Sequence, residues 1–305
     1  MTPLLVTGGS GQVARSLAAL APGFATLGYE LRRVGRPDFD FDRPETIEAC
    51  FRSAVPSLVV NAAAWTAVDG AESEPAAAAR ANDTGPARLG ALCAAAGIPF
   101  IHLSTDYVFD GDKGAPYIET DPPCPASIYG ATKLAGENHI FAQGGRAVIV
   151  RTSWVYAAEG RNFVRTMLAA AQRNQPLRVV ADQRGCPTSA ADLAQAILAI
   201  SARIADGWRP TYGGIFHAVG GGATSWYGFA EAIFAAASRY GCPKPSVAPI
   251  ATADWPTPAR RPADSRLDCG KLAEIFGVRL PEWRTSLEAV VAEIYRKEAT
   301  GNPAG

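Results

Sequence analysis

The sequence is poor in the residues that carry metal or disulfide chemistry. Its six cysteines (Cys50, Cys93, Cys124, Cys186, Cys242 and Cys269) include no Cys-x-x-Cys pair, and its three histidines (His102, His139 and His217) lack ligand spacing. In a 305-residue chain such cysteines read as reduced structural thiols, and no metal site is expected. An excess of one charge is also missing. Lys+Arg and Asp+Glu number 29 each, which leaves no electrostatic footprint for nucleic acid and no polybasic patch for a membrane surface. No run approaches the ~20 apolar residues of a membrane helix. Met1–Gly8 enters a short apolar strand without a basic leader or a signal-length hydrophobic run. Together these absences predict a cytoplasmic protein that binds neither nucleic acid nor membrane.

What is present predicts a sizeable core: 48% hydrophobic and 19% charged residues, enough for one large domain with a smaller lobe. Strands are expected at Leu4–Thr7, Leu31–Val34, Leu58–Asn61, Phe100–Thr105 and Ala147–Thr152. Helices are expected between them near Gly11–Leu20, Pro44–Ala54, Pro75–Ala96 and Ile128–Ala142. Strands separated by ten or more helical residues indicate βαβ units, hence an α/β, Rossmann-type doubly wound parallel sheet. The second half has Gly/Pro-rich breaks at Gly213-Gly214, Gly220–Gly222, Pro243–Pro249 and Pro256–Pro262. Its helices are expected at Asn162–Asn174, Ala190–Ile204, Ser225–Tyr240 and Arg284–Lys297. The reading is a nucleotide-binding domain over 1–155 and a smaller C-terminal α/β substrate lobe over 156–299, some of whose elements return to the main sheet. A small polar tail, 300–305, is expected to be disordered.

The first strand runs into Gly8-Gly9-Ser10-Gly11-Gln12-Val13-Ala14, a Gly-x-x-Gly-x-x-Ala turn opening a helix. Gly8 permits a tight turn, Gly11 lets a pyrophosphate approach the backbone, and Ala14 allows close packing of helix on strand. An ordinary glycine turn has the same composition; the position at the head of a βαβ pattern favours the nucleotide reading. The second strand ends in Gly35-Arg36, after Arg32 and Arg33. An arginine there favours a 2′-phosphate, so NADPH is preferred and NADH remains possible. Asp38–Asp42 supplies turn and cap chemistry before Pro44, and one of its carboxylates or aromatics could face the adenine.

Tyr129 and Lys133 lie four residues apart on one face of the helix opened by Ser127. A phenol with its ordinary pKa near 10 is a poor acid or base at neutral pH, and a neighbouring ammonium is expected to lower it. The pair can then hand a proton to an alkoxide. With 9 tyrosines and 5 lysines in 305 residues, chance supplies about 0.15 such pairs, so the spacing alone is only suggestive. Ser104-Thr105-Asp106-Tyr107 ends the fourth strand, where ligands bind in open α/β sheets. A hydroxyl of Thr105 or Ser104 could hydrogen-bond the reacting carbonyl, and Asp106 a sugar hydroxyl. A capped turn would explain the same residues without chemistry.

The phosphate loop, Asn61–Asp69, Ser104–Gly111 and Tyr-x-x-x-Lys together resemble the extended short-chain dehydrogenase/reductases, and within them the dTDP-4-dehydrorhamnose reductase family. Ala71–Pro75, Arg151–Tyr156, Asp182–Thr188, Pro256–Pro262 and Ser265–Leu267 also match, so the similarity spans nearly the whole chain. The resemblance implies hydride transfer from a reduced nicotinamide to C4 of a 4-keto sugar nucleotide, with Tyr129 protonating the oxygen and Lys133 holding the nicotinamide ribose. It implies sugar contacts by Thr105, Asp106, Tyr107 and Trp154. Cofactor contacts are implied for Gly11, Gln12, Val13, Asp40, Phe41, Ala63, Ala64 and Thr66, with Gly8, Ser10, Arg36, Ala62 and Ser104 in the same site. Arg260, Arg261 and Arg266 stand where a diphosphate could be gripped, a role that arginine forks suit; a basic surface loop is the plainer reading. Some family members dimerise through a metal held by glutamates, one of them early in the first helix. Ser16 stands there in this chain, so a monomer or a metal-independent homodimer is expected. Two competing readings share the scaffold. One is a non-catalytic NADP-binding regulatory subunit like the methionine adenosyltransferase β subunit, against which the intact Thr105, Tyr129, Lys133 and Trp154 argue. The other is an epimerase or dehydratase, for which a dehydratase would need an acid pair where Thr105-Asp106-Tyr107 offers one carboxylate.

Overall fold

Leu4, Val6, Leu58, Val59, Val60, Ile101 and Val148–Val150 are fully buried, as strands covered on both faces must be. In the computed structural model, which describes residues 1–173 and 176–301, they belong to one six-stranded parallel sheet. Its strands are β1 (Thr2–Thr7), β2 (Tyr29–Val34), β3 (Leu58–Asn61), β4 (Phe100–Thr105), β5 (Ala147–Thr152) and β6 (Gly214–His217), in the order β6-β5-β4-β3-β1-β2. The order reverses between β1 and β3, and ligands of such sheets bind in the crevice at the carboxyl ends of the strands on either side of that point.

Alternation along the strands sends side chains to two helical layers. Leu4 and Val6 pack with Ala14 and Leu17 of α1 (Gln12–Ala19). Leu5 and Val59 pack on the other face with Ile47 of α2 (Pro44–Ser53), Leu89 of α3 (Gly85–Ala95) and Ile140 of α4 (Ile128–Ala142). A second core lies among α5 (Phe163–Gln172), α7 (Trp226–Ser238) and α8 (Trp283–Ala299), centred on Val164, Phe229 and Val291. Between them in sequence, α6 (Ala190–Ala205) lays Leu193, Ile197 and Ile200 on the α1 side of the main sheet, and β6 pairs with β5. The expected helix over Asn162–Asn174 is seen to Gln172, and its last residue, like 302–305 of the expected tail, lies outside the described residues. Thr300 and Gly301 cap α8.

The single helix expected over Pro75–Ala96 is broken into a short helix Pro75–Ala79, a π-turn Arg80–Thr84 and α3. Pro86 has no N–H to give the carbonyl four residues before it, that of Asn82. That carbonyl instead faces α4, where a Cβ on Gly136 would lie 2.1 Å from it. Asn82 turns inward and holds the Trp65 backbone, accepting from its N–H at 2.8 Å and donating to its carbonyl at 3.2 Å.

The position of α4 is set at its head by Ser127, whose hydroxyl accepts from the Gly130 N–H, and along its length by an ion pair. Arg151 of β5 and Glu137 are each 1% exposed, and Arg151 donates through Nε at 2.9 Å and Nη2 at 2.6 Å to the Glu137 carboxylate. The guanidinium lies over the Phe109 ring, 5.1 Å from its centroid. Removing one partner of such a pair strands a buried charge. Glu137→Ala is therefore expected to cost about 3–5 kcal/mol of unfolding free energy, read from denaturant curves. A loss below about 1 kcal/mol would show that the pair does not anchor the helix.

Candidate active site

The loops after β1, β3, β4 and β5 enclose one cleft of about 1110 Å³, larger than the few hundred to ~1000 Å³ that suit a single small ligand. At one end the chain turns from β1 into α1. Gly8 has φ +107°, and a Cβ there would sit 2.8 Å from the Ala62 carbonyl oxygen, so only glycine lets the loop close on β3. Gly11 precedes α1 in extended conformation, and Ser10, Gln12 and Val13 line the cleft beside it. The first turn of α1 carries no acidic residue, which leaves its N–H groups and positive dipole end to an anion. Ala62, Ala63, Ala64 and Thr66 form the facing wall.

Beyond that loop, Arg36 enters the cleft and is held by carboxylates, Nε on Asp40 at 2.9 Å and Nη2 on Asp42 at 2.7 Å. Arg80, from the π-turn, shares Asp42 at 2.7 Å and lines the same end. Asp40 and Phe41 line it too. Arg32 lies outside, donating to Ser53. Arg80 lies in the interruption of the helix, where the sequence pattern predicts one continuous helix.

At the floor, Ser104, Thr105, Asp106, Tyr107, Tyr129 and Lys133 converge. The Thr105 hydroxyl lies beside the Tyr129 phenol and donates to Asp106 Oδ1 at 3.1 Å. Tyr107 packs edge-on against Tyr129, ring centroids 5.5 Å apart. Burial pushes the Tyr129 phenol up to about 12, with Thr105 pulling down and Asp106 pushing up. The expected lowering by Lys133 is absent, because its ammonium is turned beneath the floor, donating to the Leu103 carbonyl at 2.6 Å and facing His102 Nε2 at 3.3 Å. Burial pulls Lys133 down to about 8, against the upward pull of Glu137. Asp106 is pushed up to about 6 by burial, opposed by hydrogen bonds from Ser265 and Thr105. Its Oδ2 and the Ser104 hydroxyl have no protein partner, which suits groups waiting on a polar ligand.

Trp154 forms the adjoining wall. Its φ of +46° is rare for a bulky residue. The indole stacks on Trp226 with centroids 3.5 Å apart and planes at 8°, and its edge fills the space that a side chain at Gly185 would need. Trp226 and Arg161 line the cleft and have no motif to mark them; a tryptophan as first residue of a Ser225-capped helix is the one local hint. The three arginines of the late loop are not among the cleft walls. Arg261 grips Asp69 through both terminal nitrogens, at 3.0 and 2.7 Å. Arg260 lies 3.6 Å from Asp112, and Arg266 pairs with Asp264 and the Gly114 carbonyl. They pin the loop 256–267 to the first half of the chain. Each faces a carboxylate.

The geometry offers two hydroxyls side by side at the floor, a cation behind them and an aromatic wall next to them, at one end of a dinucleotide-sized cleft. Residues 1–296 match the model of the RmlD substrate binding domain. A dTDP-4-dehydrorhamnose reductase of Sinorhizobium fredii is 45% identical over 94% of this chain and 96% of its own length. The crystal structure of a dTDP-4-dehydrorhamnose reductase from Clostridium acetobutylicum superposes with a TM-score of 0.88 at 35% identity, covering 96% of this chain and all of its own. That from Bacillus anthracis, solved in complex with NADP, gives 0.86 at 31% identity with the same coverage. The chain belongs to the dTDP-4-dehydrorhamnose reductase family.

Proposed function

We propose that the protein reduces the C4 ketone of dTDP-4-dehydro-β-L-rhamnose to give dTDP-L-rhamnose, in the cytoplasm, with NADPH as preferred reductant and NADH also accepted. The observation that carries this is the Thr105–Tyr129 hydroxyl pair at the floor, backed by Lys133 and flanked by Trp154. The residues present fit a dinucleotide: the Gly8–Val13 loop leaves room that a Cβ would fill, and α1 presents an uncapped N-terminus. The reduced nicotinamide, when bound, supplies the hydride. Thr105 donates a hydrogen bond to the ketone oxygen, and Tyr129 gives its phenolic proton to that oxygen as negative charge develops on it. A phenol near 12 stays protonated at neutral pH, and an alkoxide is basic enough to take its proton. Lys133, its ammonium turned beneath the floor, takes the part of holding the nicotinamide ribose that the family resemblance gives it. Asp106 accepts a sugar hydroxyl through its unpartnered Oδ2, and the Trp154 indole offers the sugar an apolar face.

Ser16 offers no carboxylate where metal-bridged relatives carry a glutamate, so the protein is taken to act as a monomer or a metal-independent dimer. Its elution in gel filtration is expected to be the same with and without chelator, and a chelator-sensitive dimer would contradict this. Tyr129→Phe is expected to leave cofactor affinity nearly intact and to lower turnover by at least ~100-fold; near-normal turnover would refute the proton-donor role. Arg36 pairs with Asp40 and Asp42 and lines the cleft, where it is taken to meet a 2′-phosphate. Arg36→Ala is expected to weaken NADPH by about 10- to 100-fold and NADH far less, measured as dissociation constants. Equal losses for both would remove the arginine from cofactor choice.

A further inference from the structure

Behind the floor runs a file of fully buried polar side chains that the proton transfer itself does not use. Thr7, Asn61 and His102 stand opposite one another in neighbouring strands, Thr7 paired with Asn61 and Asn61 with His102. All three are 0% exposed, and Lys133 is 2% exposed. The hydrogen bonds along the file have a fixed direction. The Ala63 N–H, which can only donate, lies 3.2 Å from one terminal atom of the Asn61 amide, and the Thr7 hydroxyl lies 2.5 Å from the same atom. That atom is the amide oxygen. The amide nitrogen therefore donates to His102 Nδ1, at 2.8 Å. With Nδ1 accepting and burial holding the ring neutral, its charged form far below the ordinary range, the single ring proton must sit on Nε2. Nε2 faces Lys133 Nζ at 3.3 Å.

A neutral lysine amine has a lone pair to accept that N–H; an ammonium has none and meets it donor to donor. We propose that His102, locked by Asn61 as its Nε2–H tautomer, is a positioning residue that sets the proton affinity of Lys133 and with it the upper pH limit of turnover. The inference rests on the proposed role of Lys133, in its charged form, at the nicotinamide ribose. Other ionisable groups around the lysine are accounted for. On its own helix, Tyr129 faces the cleft and Glu137 is bound to Arg151 of β5. On the elements packed against α4, Asp83 is paired with His139, Arg80 with Asp42 and Asp69 with Arg261, and Glu72 accepts from the Ile128 N–H. Arg88 of α3 pairs with Glu48, and burial keeps the Cys93 thiol neutral. Asp106 is hydrogen-bonded to Thr105 and Ser265, and Tyr107 stays a neutral phenol. Of all these, His102 alone among the described residues is a ring donor within hydrogen-bonding reach of Nζ.

The test uses the full chain without substrate. With three histidines and five lysines, ring 15N shifts and lysine ε-13C titrations can be assigned, Lys133→Met identifying the lysine signal. The wild type is expected to show a pyridine-type Nδ1 and a protonated Nε2 at His102. His102→Leu removes the opposing donor and is expected to raise the Lys133 midpoint by about one pH unit, a tenfold gain in proton affinity. His102→Gln can accept from Asn61 and donate toward Lys133, and is expected to stay near wild type. The alkaline limb of the pH–rate profile should move in parallel. A protonated Nδ1, or an unchanged or lowered Lys133 midpoint in folded His102→Leu, would overturn the proposal. If His102→Leu does not fold, the wild-type tautomer decides. Because the titration is read without turnover, an inactive protein with the expected shifts would count against the proposed reaction and not against the coupling.

Discussion

Everything at the floor of the cleft depends on where α4 lies, and α4 is tied to the sheet by the buried pair of Arg151 and Glu137. Helix packing by apolar contact alone tolerates small slides. A two-point bond between a planar guanidinium and a carboxylate, both withdrawn from water, does not. Tyr129 and Lys133 stand two turns and one turn before Glu137 on the same helix, so fixing Glu137 over β5 fixes both against the ends of β4 and β5. Gly130 and Gly136 reinforce the constraint, since a side chain on either would collide with the backbone of Tyr107 or Asn82. The helix is held close enough for the phenol to reach Thr105 and for the lysine to reach beneath the floor.

That closeness also shapes the electrostatics. Burial acts on three groups of the floor at once: it pushes the Tyr129 phenol up, pushes Asp106 up and pulls Lys133 down. Each shift favours the neutral form. A site of this kind resists holding charge until a ligand brings compensating charge with it, which suits a reaction whose oxyanion exists only transiently. In the proposed reaction the lysine is the exception that must be charged to be useful; Glu137 raises its proton affinity, and in the proposed coupling the His102 N–H lowers it.

Much of this was legible from residue order, for reasons that can be named. The strands Leu58–Asn61, Phe100–Thr105 and Ala147–Thr152 and the helix Ile128–Ala142 coincide with their expected bounds, because continuous β-branched runs and a Ser127 cap are local signals. The phosphate loop and the Ser104–Tyr107 cluster lie in the cleft because a parallel sheet brings all its strand ends to one edge. What was not legible depends on contacts distant in sequence. The break at Arg80–Thr84 begins with Pro86, and the carbonyl of Asn82 that it frees meets Gly136 of another helix. Arg260 lies near Asp112, a carboxylate that only the folded loop brings to it. The direction of the Lys133 side chain is set by the Leu103 carbonyl and His102 on a strand thirty residues earlier, so helix spacing could pair it with Tyr129 but could not aim it. Trp226 joins the cleft through its stack with Trp154, seventy-two residues away.

The central claim is that this cleft reduces the ketone of a deoxysugar nucleotide. The most direct measurement mixes the purified protein with NADPH and the 4-keto-6-deoxy sugar nucleotide generated in situ, and follows both cofactor oxidation and product. The expected result is one NADPH oxidised for each ketone converted to a 4-hydroxyl, with slower or weaker use of NADH. Tight cofactor binding without any oxidation, or conversion of the sugar nucleotide without net NADPH consumption, would contradict it.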